Sequence, residues 1–399
     1  MRIAFLTTSP QHYQGAGGRT RVVSVARLMD QDECLLICLV KMRHWFKRPT
    51  MKRAQAQLAR DARCPVVYLH WIAYRDLEWL NRFGLWLCKV RLERLLAKHQ
   101  VDGIHAHGAK AAEIALSLNP ASRGWVVADI HGAVPEEYLL ASGASDKNDV
   151  VLALEEMEKD VLTNADACVL VSQRMLVHYR NKYGVAISQN AVIPCAAAGR
   201  WSPSLARRAE IRQDLGLMDK TVFVYSGSMR SYQCIPEMLK IFGSIAQNDD
   251  SLHLLIMSSQ KDAFETLLSD AGLKAKSTVI SLPHDRVLDT LQAADLGFML
   301  RNDTVVNRVA SPTKFAEYLL AGVPVITSSF VGDYSTWVCE QGLGCIVDDY
   351  HETDHLKAFV YDVRDHRATY AQRCHQFALD SLTWPQFAGS LRRIYEALS

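Results

Sequence analysis

The chain has 399 residues, of which 49% are hydrophobic and 22% charged, with 21 glycines and 12 prolines. That is the composition of a globular protein of two or three domains at about 150 residues each, and it excludes a disordered, collagenous or disulfide-stapled chain. The apolar run Ile3–Leu6 is too short for a secretory leader, and no stretch approaches the roughly 18 apolar residues that cross a bilayer. None of the ten cysteines forms a C-x-x-C pair, so reduced thiols in a cytosol are expected. The net charge of +2 hides a lopsided distribution. Eight basic residues face one acid, Asp61, between Lys41 and Arg63, and six face three acids between Arg75 and Lys98. These stretches also hold Trp45, Phe46, Trp79, Phe83 and Trp86. The mixture suits an anionic membrane surface or, equally, a solvated basic face over core aromatics. No nucleic-acid-binding module accompanies the charge, so nucleic acid is not an expected partner.

In chain order, short β-branched apolar runs alternate with helical stretches, the pattern of βα units around parallel sheets, so the fold class is α/β. A first series of strands is expected at Arg2–Thr7, Cys34–Val40, Pro65–Trp71, Gly103–Ala106, Trp125–Ile130, Ala167–Val171 and Val192–Pro194. A second is expected at Thr221–Tyr225, Leu252–Met257, Thr278–Leu282, Leu296–Leu300, Val323–Thr327 and Cys345–Val347. Each can close its own doubly wound sheet. Cys195–Pro203, rich in small residues with Gly and Pro, reads as the linker. The expected domains are 1–197, 198–380, and a C-terminal segment 381–399 whose helix, Pro385–Leu398, returns towards the first domain.

The sharpest local signal is Ala310–Thr327, ASPTKFAEYLLAGVPVIT. Ser311 reads as an N-cap and Pro312 as the first helical residue, with Gly322 and Pro324 ending the helix before a buried strand. A helix N-terminus beyond the carboxyl end of a parallel strand offers free amides to an anion. Lys314 in the first turn opposes the helix dipole, which makes sense if a phosphate binds beside it and Thr313. Glu317, one turn on, can accept from ribose hydroxyls. The plain alternative is a capped structural helix with two solvated charges.

This segment resembles the C-terminal-domain signature of family 4 glycosyltransferases of the GT-B fold, in the bacterial surface-polysaccharide variant S-P-x-K-x-x-E-Y, and the resemblance runs along nearly the whole chain. It implies two Rossmann-like domains facing across a cleft. The residue matching Glu317 would bind the donor ribose, and the loop and helix start at Ser311, Pro312 and Thr313 would hold the donor diphosphate. Many members carry a glutamate on the donor sugar where this chain has Val309. In Val222–Cys234 the family pattern G-R followed by K corresponds here to Gly227, Ser228 and Gln233, with Arg230 as the nearest cation, expected to neutralise the diphosphate together with Lys314. Gly17, Gly18 and Arg19 match a family Gly-Gly pair on the acceptor side, although a plain tight turn fits them as well. The spacing there does not make a dinucleotide loop. His131, in Asp129-Ile-His-Gly132, matches a histidine that contacts the donor sugar, and Glu136 or Glu137 can supply an acceptor-side base.

The pair Asp30 and Asp32 has metal-site spacing but reads as a turn, and neither a metal site nor a cofactor is expected. The resulting expectation is a retaining, metal-independent glycosyltransferase. A nucleotide-diphosphate sugar is its co-substrate and a glycan or lipid-linked glycan its acceptor, in the cytoplasm or peripherally at the inner face of the cell membrane. The alternatives are a nucleotide-sugar epimerase and a degenerate nucleotide-binding protein without activity.

Overall fold

The computed structural model describes residues 1–8, 17–41, 48–71, 78–143, 148–187, 189–199, 201–350 and 353–399. The chain divides into two compact units, Met1–Pro194 with Phe387–Ser399, and Cys195–Gln386.

The first unit is built on a seven-stranded sheet, formed by β1 (Arg2–Thr7), β2 (Glu33–Lys41), β3 (Val66–Trp71), β4 (Gly103–His107), β5 (Trp125–Ile130), β6 (Ala167–Leu170) and β7 (Asn190–Val192). Their order is 3-2-1-4-5-6-7 and every pairing is parallel. The second sheet holds β8 (Thr221–Ser226), β9 (Leu252–Met257), β10 (Ser277–Ile280), β11 (Leu296–Met299), β12 (Val325–Thr327) and β13 (Gly344–Ile346) in the order 10-9-8-11-12-13, again all parallel. A strand covered on both faces must be apolar on both, which is why β5, β8 and β11 are near-continuous hydrophobic runs. In each sheet the strand order reverses beside the first strand, between β1 and β4 and between β8 and β11. Loops beyond the carboxyl ends of such strands diverge and leave a crevice for a ligand.

Several expected element boundaries shift. The seventh strand pairs over Asn190–Val192 rather than Val192–Pro194, because proline has no amide for a ladder. The supposed linker is pinned in the second unit, where Ala197 donates to the Leu382 carbonyl (2.8 Å) and accepts from the Trp384 amide (3.2 Å). Trp384–Phe387 forms a tight 3-10 turn, so the last helix begins at Ala388 rather than Pro385 and belongs to the first unit.

One close contact sets the geometry of the second crevice. A Cβ on Gly297 would lie 2.6 Å from the Tyr318 ring, so only glycine in β11 lets the helix Thr313–Leu320 lie this close to the sheet. The Tyr318 hydroxyl then accepts from the Ser226 amide at 2.8 Å and so ties that helix to the end of β8.

Candidate functional site

At the end of β8 the chain turns through Gly227, whose amide donates to Met257 (3.0 Å) at the end of β9. A Cβ on Gly227 would stand 3.0 Å from Lys314 Nζ and 3.1 Å from the Tyr225 hydroxyl. Glycine therefore lets the lysine lie against the turn. The Tyr225 hydroxyl donates to the Ser228 carbonyl (2.7 Å), and Met229 is held by Gln260 (2.8 Å). One 3-10 turn, Ser231–Gln233, follows and carries Gln233 into the interior.

Lys314 comes from the first turn of the helix Thr313–Leu320. Its Nζ sits 4.3 Å from the centre of the Tyr225 ring and donates to Gln233 Oε1 at 2.8 Å. The same oxygen accepts from Arg301 at 2.6 Å. Arg301 immediately follows the apolar run of β11, and its guanidinium also lies 5.5 Å from the Tyr232 ring centre. It is only 3% exposed, and the sequence reading does not include it. Burial pulls the Lys314 ammonium well below its usual range; Arg301 adds to this and Glu317 opposes it. Burial likewise raises the Glu317 carboxyl, against the pull of His284 and Lys314. The chemistry of this corner is that of an anion site with two cations, one neutral acceptor and aromatic walls.

The other expected residues of this unit divide. Ser311 is not the N-cap: its hydroxyl accepts from the Cys195 amide (2.7 Å) and bonds the Tyr334 hydroxyl (2.6 Å), so Pro312 stands at that place without a side-chain cap. The helix thus starts at Thr313, and its first-turn amides, Thr313 and Lys314 among them, have no acceptor inside the helix. Ser228 contributes its carbonyl to the loop. Arg230 is exposed; its carbonyl accepts from the Gln233 amide (2.9 Å), but among the described residues no hydrogen bond or ion pair joins its guanidinium to Lys314 or Gln233. Val309 is buried and presents only a hydrocarbon side chain.

In the first unit the ends of β4 and β5 converge on Asp129, fully buried. Arg21 grips both its oxygens (2.7 and 2.9 Å) and also donates to the Ile193 carbonyl (2.9 Å). His105, His107 and His131 approach Oδ2 at 3.2, 3.1 and 3.4 Å. His105 Nδ1 is bonded in turn to the Tyr395 hydroxyl (2.7 Å) on the last helix. Burial alone would raise the Asp129 carboxyl, yet Arg21 and the imidazoles hold it well below its usual value. His105, His107 and Asp129 have the composition of a metal triad, with ligand atoms within 4.8 Å of one another. The guanidinium on both oxygens makes this an ion-paired core instead, and it fixes the strand end that carries His131.

The two glutamates next to His131 are separated by their surroundings. Glu136 is bound by Lys182 (2.8 Å) and His178 (3.1 Å), which against the effect of burial bring its carboxyl down to about 2. Glu137 is raised, by burial and by Glu136, and its carboxylate lies so close over Gly132 that a Cβ there would clash at 1.9 Å. Among the described residues Glu137 forms no salt bridge, and it adjoins the His131 turn, which makes it the acceptor-side candidate of the two. Gly17 opens the helix Gly17–Leu28. Among the described residues nothing lies within 4 Å of a Cβ placed on Gly18. Arg19 is paired with Asp61. The rest of that turn, Gln14 to Ala16, lies outside the described residues.

Two family models match the chain: "Glycosyl transferase 4-like domain" over residues 11–196 and "Glycosyl transferases group 1" over residues 207–376. The chain is a family 4-like glycosyltransferase. Among solved structures it is similar to HepE (Alr3699) of Anabaena in complex with UDP, with 14% identity, all of both chains covered and a TM-score of 0.76. It is also similar to the sucrose-phosphate synthase of Thermosynechococcus elongatus, with 17% identity, 100% and 99% of the chains covered and a TM-score of 0.70. A third is WaaG, a glycosyltransferase involved in lipopolysaccharide biosynthesis, with 13% identity, 98% and 99% covered and a TM-score of 0.66. These likenesses establish the GT-B fold. The comparison with curated proteins finds no match.

Burial holds the His105 and His107 imidazoles below their ordinary value, His107 at about 3. In the unfolded chain both take up protons near pH ~6.5, so the unfolded state binds more protons and the native state loses stability as pH falls below that value. The loss attributable to His107 extends down to about pH 3. Urea unfolding at pH 7 and pH 5 should therefore show a steeper decline for the native chain than for His107→Gln; equal declines would contradict the assignment.

Proposed function

We propose that this glycosyltransferase moves a sugar from a nucleotide-diphosphate sugar to a glycan or lipid-linked glycan acceptor of a bacterial surface polysaccharide, with retention of anomeric configuration and without a metal ion. The observation that carries this reading is the lysine ammonium of Lys314, half-buried at the switch point between β8 and β11, with an amide oxygen and an aromatic ring as neighbours. HepE has been solved with UDP, and WaaG is described as acting in lipopolysaccharide biosynthesis; both support the proposed donor and acceptor classes.

The chemistry follows from charge. Breaking the bond between the anomeric carbon and the diphosphate leaves an electron pair on a phosphate oxygen, so fixed positive charge at that place lowers the barrier. In this reading Lys314 and the first-turn amides near Thr313 receive the diphosphate, and Glu317 accepts from the ribose. His131, held by the Asp129 cluster, donates to a hydroxyl of the donor sugar, and Glu137 faces the acceptor. Val309 leaves the sugar without a carboxylate partner at the place where many relatives of this type have one. No protein nucleophile is assigned.

Calorimetric titration with UDP, GDP and CMP identifies the base. For the preferred diphosphate, Glu317→Ala should weaken binding by about tenfold, the value of one charge-assisted hydrogen bond. Unchanged affinity would contradict the ribose role. Transfer should persist in excess EDTA, and proton NMR of the product should show the donor's anomeric configuration kept.

The membrane part of the proposal rests on the helix Glu78–His99. Phe83 and Trp86 stack at 5.8 Å there, 51% and 57% exposed, and Arg91, Arg94 and Lys98 are exposed further along. Lys52, Arg53, Arg60 and Arg63 add exposed charge on and after the helix Arg48–Ala62, whereas Trp45 and Phe46 lie outside the described residues. Among the described residues no helix is long and apolar enough to cross a membrane. Anionic liposomes should sediment the protein at low salt and release it as ionic strength rises, and Phe83→Ser with Trp86→Ser should weaken the binding. Failure to sediment at low salt would contradict it.

A further inference from the structure

Buried guanidinium groups in this protein are matched in two different ways. Arg21 is met by both oxygens of one carboxylate and gives Nη1 to main-chain carbonyls. In the second unit Arg212 shares Asp295 with Arg208 and Arg367 and fills its remaining donors with main-chain carbonyls. Arg301 is as deeply buried, yet it has neither arrangement. Its side chain donates to Gln233 Oε1 (2.6 Å) and to the adjoining Leu300 carbonyl (3.0 Å). The same Gln233 oxygen is shared with the Lys314 ammonium. Among the described residues no carboxylate lies within ion-pair distance of either cation, and Glu317 acts on Lys314 only from further away.

Two positive charges drawn to one neutral oxygen repel each other and lose hydration, a costly arrangement unless an anion completes it. A glutamate at 233 would hold the same two donors more strongly and would remove one unit of their charge. The glutamine fixes the positions of both cations and leaves their charge uncancelled. Arg230, the nearest cation in the sequence, is exposed and stands outside this group.

We propose that Arg301 and Lys314 are the pair of cations that binds the donor diphosphate, and that Gln233 is a positioning residue that holds both without neutralising them. The assignment rests on the donor reading given above, and it moves the second cation from the loop after β8 to the end of β11. Arg301 touches the phosphate oxygens; Gln233 acts through its two partners.

The test is calorimetric titration of the full chain with UDP and GDP, with the matching monophosphates and nucleosides as controls. The native protein should bind the preferred diphosphate at least about tenfold more tightly than the monophosphate, as expected for charge-assisted contacts to the additional phosphate. Gln233→Glu should unfold at the same temperature as the native protein or a higher one, since it supplies the missing carboxylate, yet lose about tenfold or more in diphosphate affinity while nucleoside affinity stays the same. Arg301→Gln should lose diphosphate affinity in the same selective way, whereas Arg230→Gln should bind as the native chain does. A purely structural role for Gln233 predicts undiminished diphosphate binding by Gln233→Glu, and that result overturns the assignment while leaving the donor reading in place. A native chain that binds no nucleotide overturns the donor reading, and this assignment with it.

Discussion

A single amide oxygen, Gln233 Oε1, organises the corner of the second unit at the ends of β8 and β11 by accepting from both Arg301 and Lys314. Because that acceptor is neutral, it fixes both side chains without cancelling their charge, and the burial that depresses both of them also strengthens any bond they make to an incoming anion. The contrast with Asp129 is instructive. There a full carboxylate meets Arg21 and three imidazoles, and the result is an ion-paired core that holds a strand end. Charge that is balanced inside the fold supports the structure, and charge left unbalanced is available to a ligand.

The fold delivers this corner through close approach rather than through flexibility. Gly297 allows the Tyr318 ring against β11, Tyr318 ties the helix to the Ser226 amide, and Gly227 leaves room for the lysine head. Each contact brings the helix Thr313–Leu320 nearer to the ends of β8 and β11, where the strand order reverses. The loop after β8 is held from the other side by Gln260 and by the Tyr225 hydroxyl. An anion met by rigid strand ends and one helix finds the charges already placed, so little reorganisation opposes binding.

Much of the architecture was legible because buried parallel strands demand continuous apolar runs, and the runs at β5, β8 and β11 are such patterns. Lys314 stands out in the sequence because a cation against the helix dipole breaks a local rule. Arg301 was missed because it sits alone after an apolar strand; the signal available was a charged residue directly following a run at the carboxyl end of a switch-point strand. Ser311 was misread as a cap because its partners, Cys195 and Tyr334, are remote in sequence. The choice between Glu136 and Glu137 likewise depended on Lys182 and His178, which only the folded chain brings to Glu136. Local rules reveal elements and conflicts, whereas the resolution of each conflict lies in tertiary partners.

The most direct measurement of the central claim is a crystal structure of the protein soaked with the nucleoside diphosphate it prefers. The account places the diphosphate oxygens within hydrogen-bond distance of both Arg301 and Lys314, with Gln233 still bridging the two side chains. A diphosphate seated on Arg230, or anywhere that leaves the Arg301 guanidinium untouched, would contradict it.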